Sequence, residues 1–300
     1  PRGMPYAEAR ALYEAEPEVR ILFEVGADHP TANAPVARFE KSFDSWPPPA
    51  EPRLWYLGPD GALLDTLAEE GGVDRFLHDP EAGDVGYSST SAFAFQFPEI
   101  DFEWPSPVAG TALSYLTEPF AADTVVAGNG GYANLWIASE ADRATVEVTL
   151  TDVREDGTET IIQSGVFDLL HRNGILEEES DTFMVEYSYR EEDAAPPLVP
   201  GEFVEVKVPI RPFAHPFHAG SRMRLIIDTP GRDTPLWEYE NPAYDGDVHH
   251  MVARTPDMAS YLLLPIVAGV EVPAGIPACV SLRGQICRDY EPYVNDTLEP

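Results

Sequence analysis

The chain has 300 residues, of which 44% are hydrophobic and 11% aromatic, so it can bury a sizeable core. Asp and Glu number 52 against 19 Lys and Arg, and the resulting net charge of −33 repels phosphate backbones and anionic lipids. Nucleic-acid and anionic-membrane partners are therefore disfavoured. No apolar stretch reaches the length of a membrane span. The acidity suits a high-salt or extracellular medium, and composition bias explains it equally well.

The first 46 residues differ in character from the rest. The Ala- and Glu-rich stretch Tyr6 to Glu16 predicts a helix, with Leu12 and Tyr13 on its buried side. Val19 to Val25 predicts a strand, and Val36 to Phe39 a second short one. A helix and strand without a sheet to join indicate the trailing edge of a domain that begins upstream. The start without an initiator methionine fits a cleaved product or a part of something longer.

A change of character follows the stiff segment Ser45-Trp46-Pro47-Pro48-Pro49. From there, short strands alternate with Pro/Gly turns. In Arg143 to Leu150 the residues alternate between two faces, and Asp156-Gly157 supplies a hairpin turn before Thr158 to Gln163. The other predicted strands include 54–57, 62–64, 182–189, 203–210, 222–228 and 261–266.

This pattern predicts a mainly β fold, a jelly-roll β-sandwich of the galactose-binding-domain-like kind, preceded by a short α/β segment. We divide the chain into residues 1–46, a sandwich domain of residues 47–268, and a Pro/Gly-rich tail of residues 269–300.

Cys279 and Cys287, the two cysteines of the chain, lie close together in this tail. Two nearby cysteines in a Pro/Gly-rich segment predict a small loop closed by a disulfide. A disulfide implies an oxidising compartment, so we expect a secreted or extracytoplasmic protein. No other ligand pair has suitable spacing, and no metal or cofactor site is predicted.

The chain lacks a Gly-x-Ser-x-Gly nucleophile elbow, since Ser88 and Ser89 have no second glycine after them. We therefore assign no catalytic residue. Phe93, Phe95 and Phe97 alternate and share one strand face. Core packing is the simpler interpretation, and a wall facing a partner domain or ligand is the alternative.

The seven histidines are scattered, and hydrogen-bonded or surface roles are favoured over metal binding. They are His29, His78, His171, His215, His218, His249 and His250. His29 follows a strand end, where the base of a serine hydrolase could lie, but the chain offers no serine partner.

The order of these signals resembles the C-terminal portion of the cocaine esterase / X-Pro dipeptidyl-peptidase (CocE/NonD) family of serine hydrolases. The resemblance spans about residues 19–267, and each element is weak by itself. The matching segments are Val19 to Phe23, Phe43-Asp44-Ser45-Trp46-Pro47, Leu54-Trp55-Tyr56-Leu57, Gly61-Ala62-Leu63-Leu64, Phe76-Leu77-His78-Asp79-Pro80, Leu135 to Ser139, Val146 to Val153 with Asp156-Gly157, Pro216 to Met223, and Ser260 to Ile266.

The resemblance implies that a jelly roll packs on an upstream α/β-hydrolase catalytic domain or chain and lends apolar residues to its substrate pocket. The segment that does so follows Asp79-Pro80, which makes Phe93 and Phe95 the candidate wall residues. The family's catalytic serine, aspartate and histidine match no position here. The implied chemistry is acyl transfer from small esters or X-Pro peptides.

Two other functions stay open. A free-standing carbohydrate-binding module would use exposed aromatic residues, with Trp237, Tyr239 and Tyr244 as candidates. An assembly subunit would form a stable oligomer without activity, and a homo-oligomer is an open possibility under any of these functions.

Overall fold

A computed structural model describes residues 3–31, 34–82, 86–87, 102–179, 183–231, 240–279 and 285–298. Its main body is a sandwich of two antiparallel sheets, which confirms the predicted mainly β fold. None of the helices in these ranges is long and apolar enough to cross a membrane.

In the described part of the chain, ten strands form the larger sheet. They are β3 (Glu51–Leu57), β4 (Leu63–Leu64), β5 (Val73–Leu77), β9 (Thr124–Gly128), β10 (Gly131–Ser139), β15 (Val204–Ile210), β16 (Phe213–Phe217), β18 (His249–Ala253), β19 (Tyr261–Ile266) and β21 (Asp296–Leu298). The main path runs β16-β9-β19-β10-β18-β5-β21, with β15 also paired to β10 and β3 to β19 and β4.

The smaller sheet has five described strands in the order β20-β12-β11-β17-β8. They are β8 (Ala112–Leu116), β11 (Thr145–Val153), β12 (Thr158–Asp168), β17 (Arg222–Asp228) and β20 (Cys287–Asp289). Separate two-stranded ladders and turns complete the described elements. They are β1 (Val19–Phe23) with β2 (Phe39–Phe43), β6 (Gly86–Tyr87) with β7 (Phe102–Glu103), β13 (Ile175–Glu179) with β14 (Met184–Tyr187), and the 3-10 turns Pro59–Gly61, Pro80–Ala82, Leu169–His171 and Glu191–Asp193.

The core lies between the two sheets and follows the period-2 pattern of the strands. Val146, Val148 and Leu150 of β11 are fully buried in it, opposite Leu135 and Ile137 of β10. The predicted alternation in β11 is therefore confirmed. The opposite face of β11 is also buried, because loops and the C-terminal tail cover it.

Gly128-Asn129-Gly130-Gly131 forms the turn between β9 and β10. Gly130 has φ +85, and a Cβ atom there would collide with the Ile210 carbonyl oxygen. Only glycine fits this close approach of β15.

The N-terminal segment differs from its prediction in two respects. Helix α1 (Tyr6–Glu14) forms, but none of its residues is buried, so the expected burial of Leu12 and Tyr13 is wrong. The second strand lies at Phe39–Phe43 instead of Val36 to Phe39, and it pairs with β1 to make a hairpin. The register from Val19↔Phe43 to Phe23↔Phe39 satisfies backbone groups that a lone strand would leave unpaired.

The C-terminal tail contributes a strand to each sheet, since β20 pairs with β12 and β21 with β5. The domain division at residues 46 and 268 stays a prediction.

Candidate functional site

The β1–β2 hairpin packs on the outside of the larger sheet. Ile21 and Phe23 form a small apolar cluster with Val125, Ala127 and Val267. Val125 and Ala127 point away from the main core, because their neighbour Val126 points into it. The hairpin is thus seated on the back of β9.

One buried carboxylate joins this hairpin to the rest of the molecule. Glu24 Oε1 lies 2.6 Å from His218 Nε2, and Glu24 Oε2 accepts a hydrogen bond of 2.9 Å from Arg38 Nη1. The Arg38 guanidinium also donates to the carbonyl oxygens of Ala274 and Gly275, at 2.8 Å each. Glu24 therefore connects the hairpin, the end of β16 and the tail, and we call this group the Glu24 clamp.

Several large apolar side chains of the N-terminal segment are exposed, and the outward face of the hairpin also carries the exposed ion pair of Arg20 and Glu40. Leu22 points opposite to Ile21 and Phe23 and is 45% exposed. The exposed large apolar residues of this segment, which we call the N-terminal apolar surface, are Tyr6, Leu12, Tyr13, Leu22, Val36 and Trp46. Apolar side chains exposed in such number in one segment are typical of a surface that contacts another protein unit.

Two imidazoles meet where β5 ends beside β18. His78 Nδ1 lies 3.3 Å from His250 Nε2 and 3.4 Å from the Thr229 hydroxyl. The Tyr244 ring packs edge-on against His78 with a centroid distance of 4.7 Å. We call His78, Thr229, Tyr244 and His250 the histidine cluster. The cluster holds His78 in place directly before the Asp79-Pro80 turn.

The histidine cluster is uncharged at neutral pH. Burial lowers the pKa of His250 to about 3, and the neighbouring His78 and His249 add to the shift. Burial also lowers the pKa of His78, although the Pro242 carbonyl and Asp79 oppose the change. One ring N–H can therefore donate to the lone pair of the other ring. Burial raises the pKa of Tyr244 to about 12, and its hydroxyl donates to the Arg143 carbonyl at 2.7 Å.

The structure describes only some of the candidate residues that the sequence predicts. Phe93 and Phe95 lie outside the described residues, as do Phe97, Ser88, Ser89, Trp237 and Tyr239. Cys279 and Cys287 form a disulfide with a Cα–Cα distance of 5.7 Å. His29 is exposed, and its Nδ1 accepts from the Thr31 amide at 3.0 Å. Within the described ranges, no group of three or more His, Cys, Asp or Glu side chains could hold a metal ion.

A polar row that sequence reasoning missed crosses the outer face of the smaller sheet. Glu159 is fully buried and accepts from Arg224 Nη1 at 3.1 Å, Arg288 Nε at 2.8 Å and the Thr151 hydroxyl at 2.7 Å. Arg224 Nε donates to the Ser114 hydroxyl at 2.7 Å. Each of the five strands thus contributes one residue. Burial alone would raise the pKa of Glu159. The charges and hydrogen bonds of Arg224 and Arg288 have a larger opposite effect, so the pKa of Glu159 lies below its usual value.

His215 and His218 are close in the sequence, but each makes a different contact. His215 Nε2 lies 3.2 Å from Asp152 Oδ2, whereas His218 belongs to the Glu24 clamp. The sequence signal for both was only two histidines three residues apart, because the carboxylate partners are distant along the chain.

Comparison with known proteins shows what this chain is similar to. The family model described as the X-Pro dipeptidyl-peptidase C-terminal non-catalytic domain matches residues 11–263. The curated protein "Putative serine esterase Mb1866c" of Mycobacterium bovis is 27% identical over 190 residues, which are 62% of this chain and 30% of that protein.

Two solved structures share the fold at lower identity. A CocE/NonD family hydrolase from Staphylococcus aureus has a TM-score of 0.60 and 18% identity, covering 85% of this chain and 42% of its own. An aminopeptidase from the marine sediment archaeon Thaumarchaeota archaeon has a TM-score of 0.54 and 20% identity, covering 77% and 39%. The present chain spans about a third of the curated relative and about two fifths of these two structures.

Proposed function

Because this chain belongs to the family of X-Pro dipeptidyl-peptidase C-terminal non-catalytic domains, the C-terminal portion of CocE/NonD hydrolases, we propose that it completes a serine hydrolase. The parent enzyme acts on small esters or X-Pro peptides. Its nucleophile, base and orienting carboxylate belong to an α/β-hydrolase catalytic domain. The present chain packs on that domain and shapes the substrate pocket.

The N-terminal apolar surface carries this proposal. Leu22, Tyr13 and Trp46 expose apolar area that a catalytic domain would cover. Burying a leucine or an aromatic side chain stabilises an interface by about 1.5–3 kcal/mol. The Glu24 clamp supports the same function, because it holds the hairpin rigidly enough to present Leu22.

We assign the pocket-shaping role to the segment that follows the Asp79-Pro80 turn, and the histidine cluster directly precedes this turn. His78 precedes Asp79, whose carboxylate accepts from the amides of Glu81 and Ala82 at 3.0 and 3.3 Å. In the sequence, our proposed wall residues Phe93 and Phe95 follow this turn. An apolar wall would favour an apolar acyl group or the proline ring by excluding water from it.

We further propose that the protein works in a secreted or extracytoplasmic compartment. The Cys279–Cys287 disulfide supports this location, since disulfides persist in oxidising environments. Tyr244 gives the carbohydrate-binding alternative no support, because its ring packs on His78 and its hydroxyl is bonded to Arg143. The other two candidates, Trp237 and Tyr239, lie outside the described residues.

The native polypeptide tests the proposal. Antibodies raised against this chain would isolate it from its source, and intact-mass measurement with peptide mapping would define its extent. We expect a polypeptide well above 33.0 kDa, or a co-purifying chain, that contains a Gly-x-Ser-x-Gly segment. A native species of 33.0 kDa that co-purifies with nothing would refute the proposal.

A further inference from the structure

The two arginines of the polar row have more hydrogen-bond donors than the described chain has acceptors for them. Glu159 faces two guanidinium groups, Arg224 and Arg288, whose side chains are 1% and 7% exposed. Within hydrogen-bond distance, the described side chains therefore place two positive charges against one negative charge. An uncompensated charge in a buried position costs several kcal/mol unless a counter-charge is present.

Three buried donors in or beside this row have no hydrogen-bond acceptor within the described chain. They are Nη2 of Arg224, Nη2 of Arg288 and Nε1 of Trp104. The three groups are neighbours, since the Arg288 guanidinium lies 3.7 Å from the Trp104 ring centroid and both arginines bind Glu159. Unsatisfied buried donors are uncommon in native proteins and indicate a bound water or ion.

Glu159 is the carboxylate that pairs with both Arg224 and Arg288. Asp228 lies four residues along β17 from Arg224, which places it about 13 Å away along the strand, and Glu147 is its register partner on β11. Tyr290 offers its ring face to Arg224 with 5.4 Å between the guanidinium carbon and the centroid. Ring faces attract cations, but they accept no conventional hydrogen bond from Nη2.

We propose that Arg224, Arg288 and Trp104 bind a small inorganic anion, such as a halide, between the smaller sheet and the C-terminal tail. Two neighbouring guanidinium groups and an indole N–H suit such an ion, which needs no directional lone pairs. The anion brings the local charge to balance with Glu159. Arg288 belongs to the tail beyond residues 11–263, so the site depends on tail docking and not on the proposed hydrolase function.

Bromide is the probe for this site, because its anomalous scattering distinguishes it from water. Crystals grown or soaked in sodium bromide are expected to show an anomalous peak within hydrogen-bonding range of both Nη2 atoms. A peak of water height without anomalous signal at that position would overturn the proposal.

Thermal unfolding supplies a second, independent measurement. In sodium chloride the wild-type chain is expected to melt about 3 °C or more above its value in sodium gluconate of equal ionic strength. Arg288→Met should lose this difference, because Arg224 and Glu159 then form a neutral pair. Trp104→Phe, which removes only the indole donor, should reduce it.

Arg53→Met is the matched control. Arg53 also packs on a tryptophan, with 4.8 Å to the Trp55 ring centroid, but its ion pair with Asp65 is exposed. This variant should keep the full chloride effect. Equal melting temperatures of the wild type in chloride and gluconate would overturn the proposal, as would an undiminished chloride effect in Arg288→Met.

Discussion

Glu24 and His218 are separated by 194 positions in the sequence, yet their side chains meet at 2.6 Å in a buried contact. Arg38 shares the same carboxylate at 2.9 Å. The contact joins the N-terminal hairpin to the end of β16, and it therefore determines how the N-terminal apolar surface is presented. Replacing Glu24 removes this contact and is the simplest way to test how it supports the hairpin.

Glu24→Ala is expected to lower the free energy of unfolding by about 3 kcal/mol, because it leaves Arg38 and His218 without their buried partner. Urea unfolding at pH 7 measures the change. Glu14→Ala removes an exposed i,i+4 pair with Arg10 and should change the stability by less than about 1 kcal/mol. Equal effects of the two substitutions would show that the clamp does not stabilise the hairpin.

If this chain packs on a catalytic domain as proposed, Leu22→Glu is expected to weaken that packing by about 1.5–3 kcal/mol, since the interface would lose a leucine and would have to desolvate a charge. Separation of the domains in limited proteolysis would report it. Leu176→Glu, at a leucine that is 66% exposed on the sandwich, is the matched control and should have no effect. A native enzyme that tolerates Leu22→Glu as well as Leu176→Glu would exclude Leu22 from the interface.

Replacement of both Cys279 and Cys287 by serine should lower the stability by about 2–3 kcal/mol, the loop-closure entropy for a loop of this length. The tail would then dock less firmly, so amide hydrogen exchange should accelerate in residues 285–298. Reduction of the wild type should reproduce the effect. Unchanged melting and exchange would mean that the ladders of β20 and β21 hold the tail without the disulfide.

The histidine cluster makes stability depend on pH. The pKa of His250 is about 3 in the folded chain and near 6.5 in the unfolded chain, so the unfolded state binds an extra proton between these values. Stability is therefore complete above about pH 6.5 and declines as the pH falls, by about 1.2 kcal/mol between pH 7 and 5.5 from this group alone.

His250→Gln should remove that part of the pH dependence, whereas His29→Gln, at an exposed histidine, should leave it unchanged. Urea titrations at the two pH values measure both. An NMR titration of the wild type gives a direct check, because the His250 ring signals should stay constant from pH 8 to 5. A midpoint near 6.5 for His250 would contradict its burial beside Phe76 and His78.

The sandwich could be predicted from sequence because its strands carry local signals. Val146, Val148 and Leu150 alternate with polar residues, and Asp156-Gly157 supplies the turn, so the β11–β12 hairpin needed no distant information. The burial of the polar face of β11 could not be predicted from such a local pattern. Thr151 is covered because Arg288, 137 positions later, returns to bind Glu159 beside it.

The N-terminal error has a similar origin. Leu12 and Tyr13 have the composition of a buried helix face, but the described chain offers nothing that covers them. Local pattern identifies apolar residues and not the unit that buries them. The histidine cluster was likewise invisible, since His78 and His250 are brought together only by the pairing of β5 with β18.

Labelling of the native protein with a fluorophosphonate probe, followed by peptide mapping, tests whether this chain completes a serine hydrolase. We expect one labelled serine, located outside these 300 residues on a polypeptide that is continuous with them or co-purifies with them. A labelled serine within this chain, or a native protein that takes up no label while remaining folded, would contradict its role as the non-catalytic C-terminal domain of a serine hydrolase.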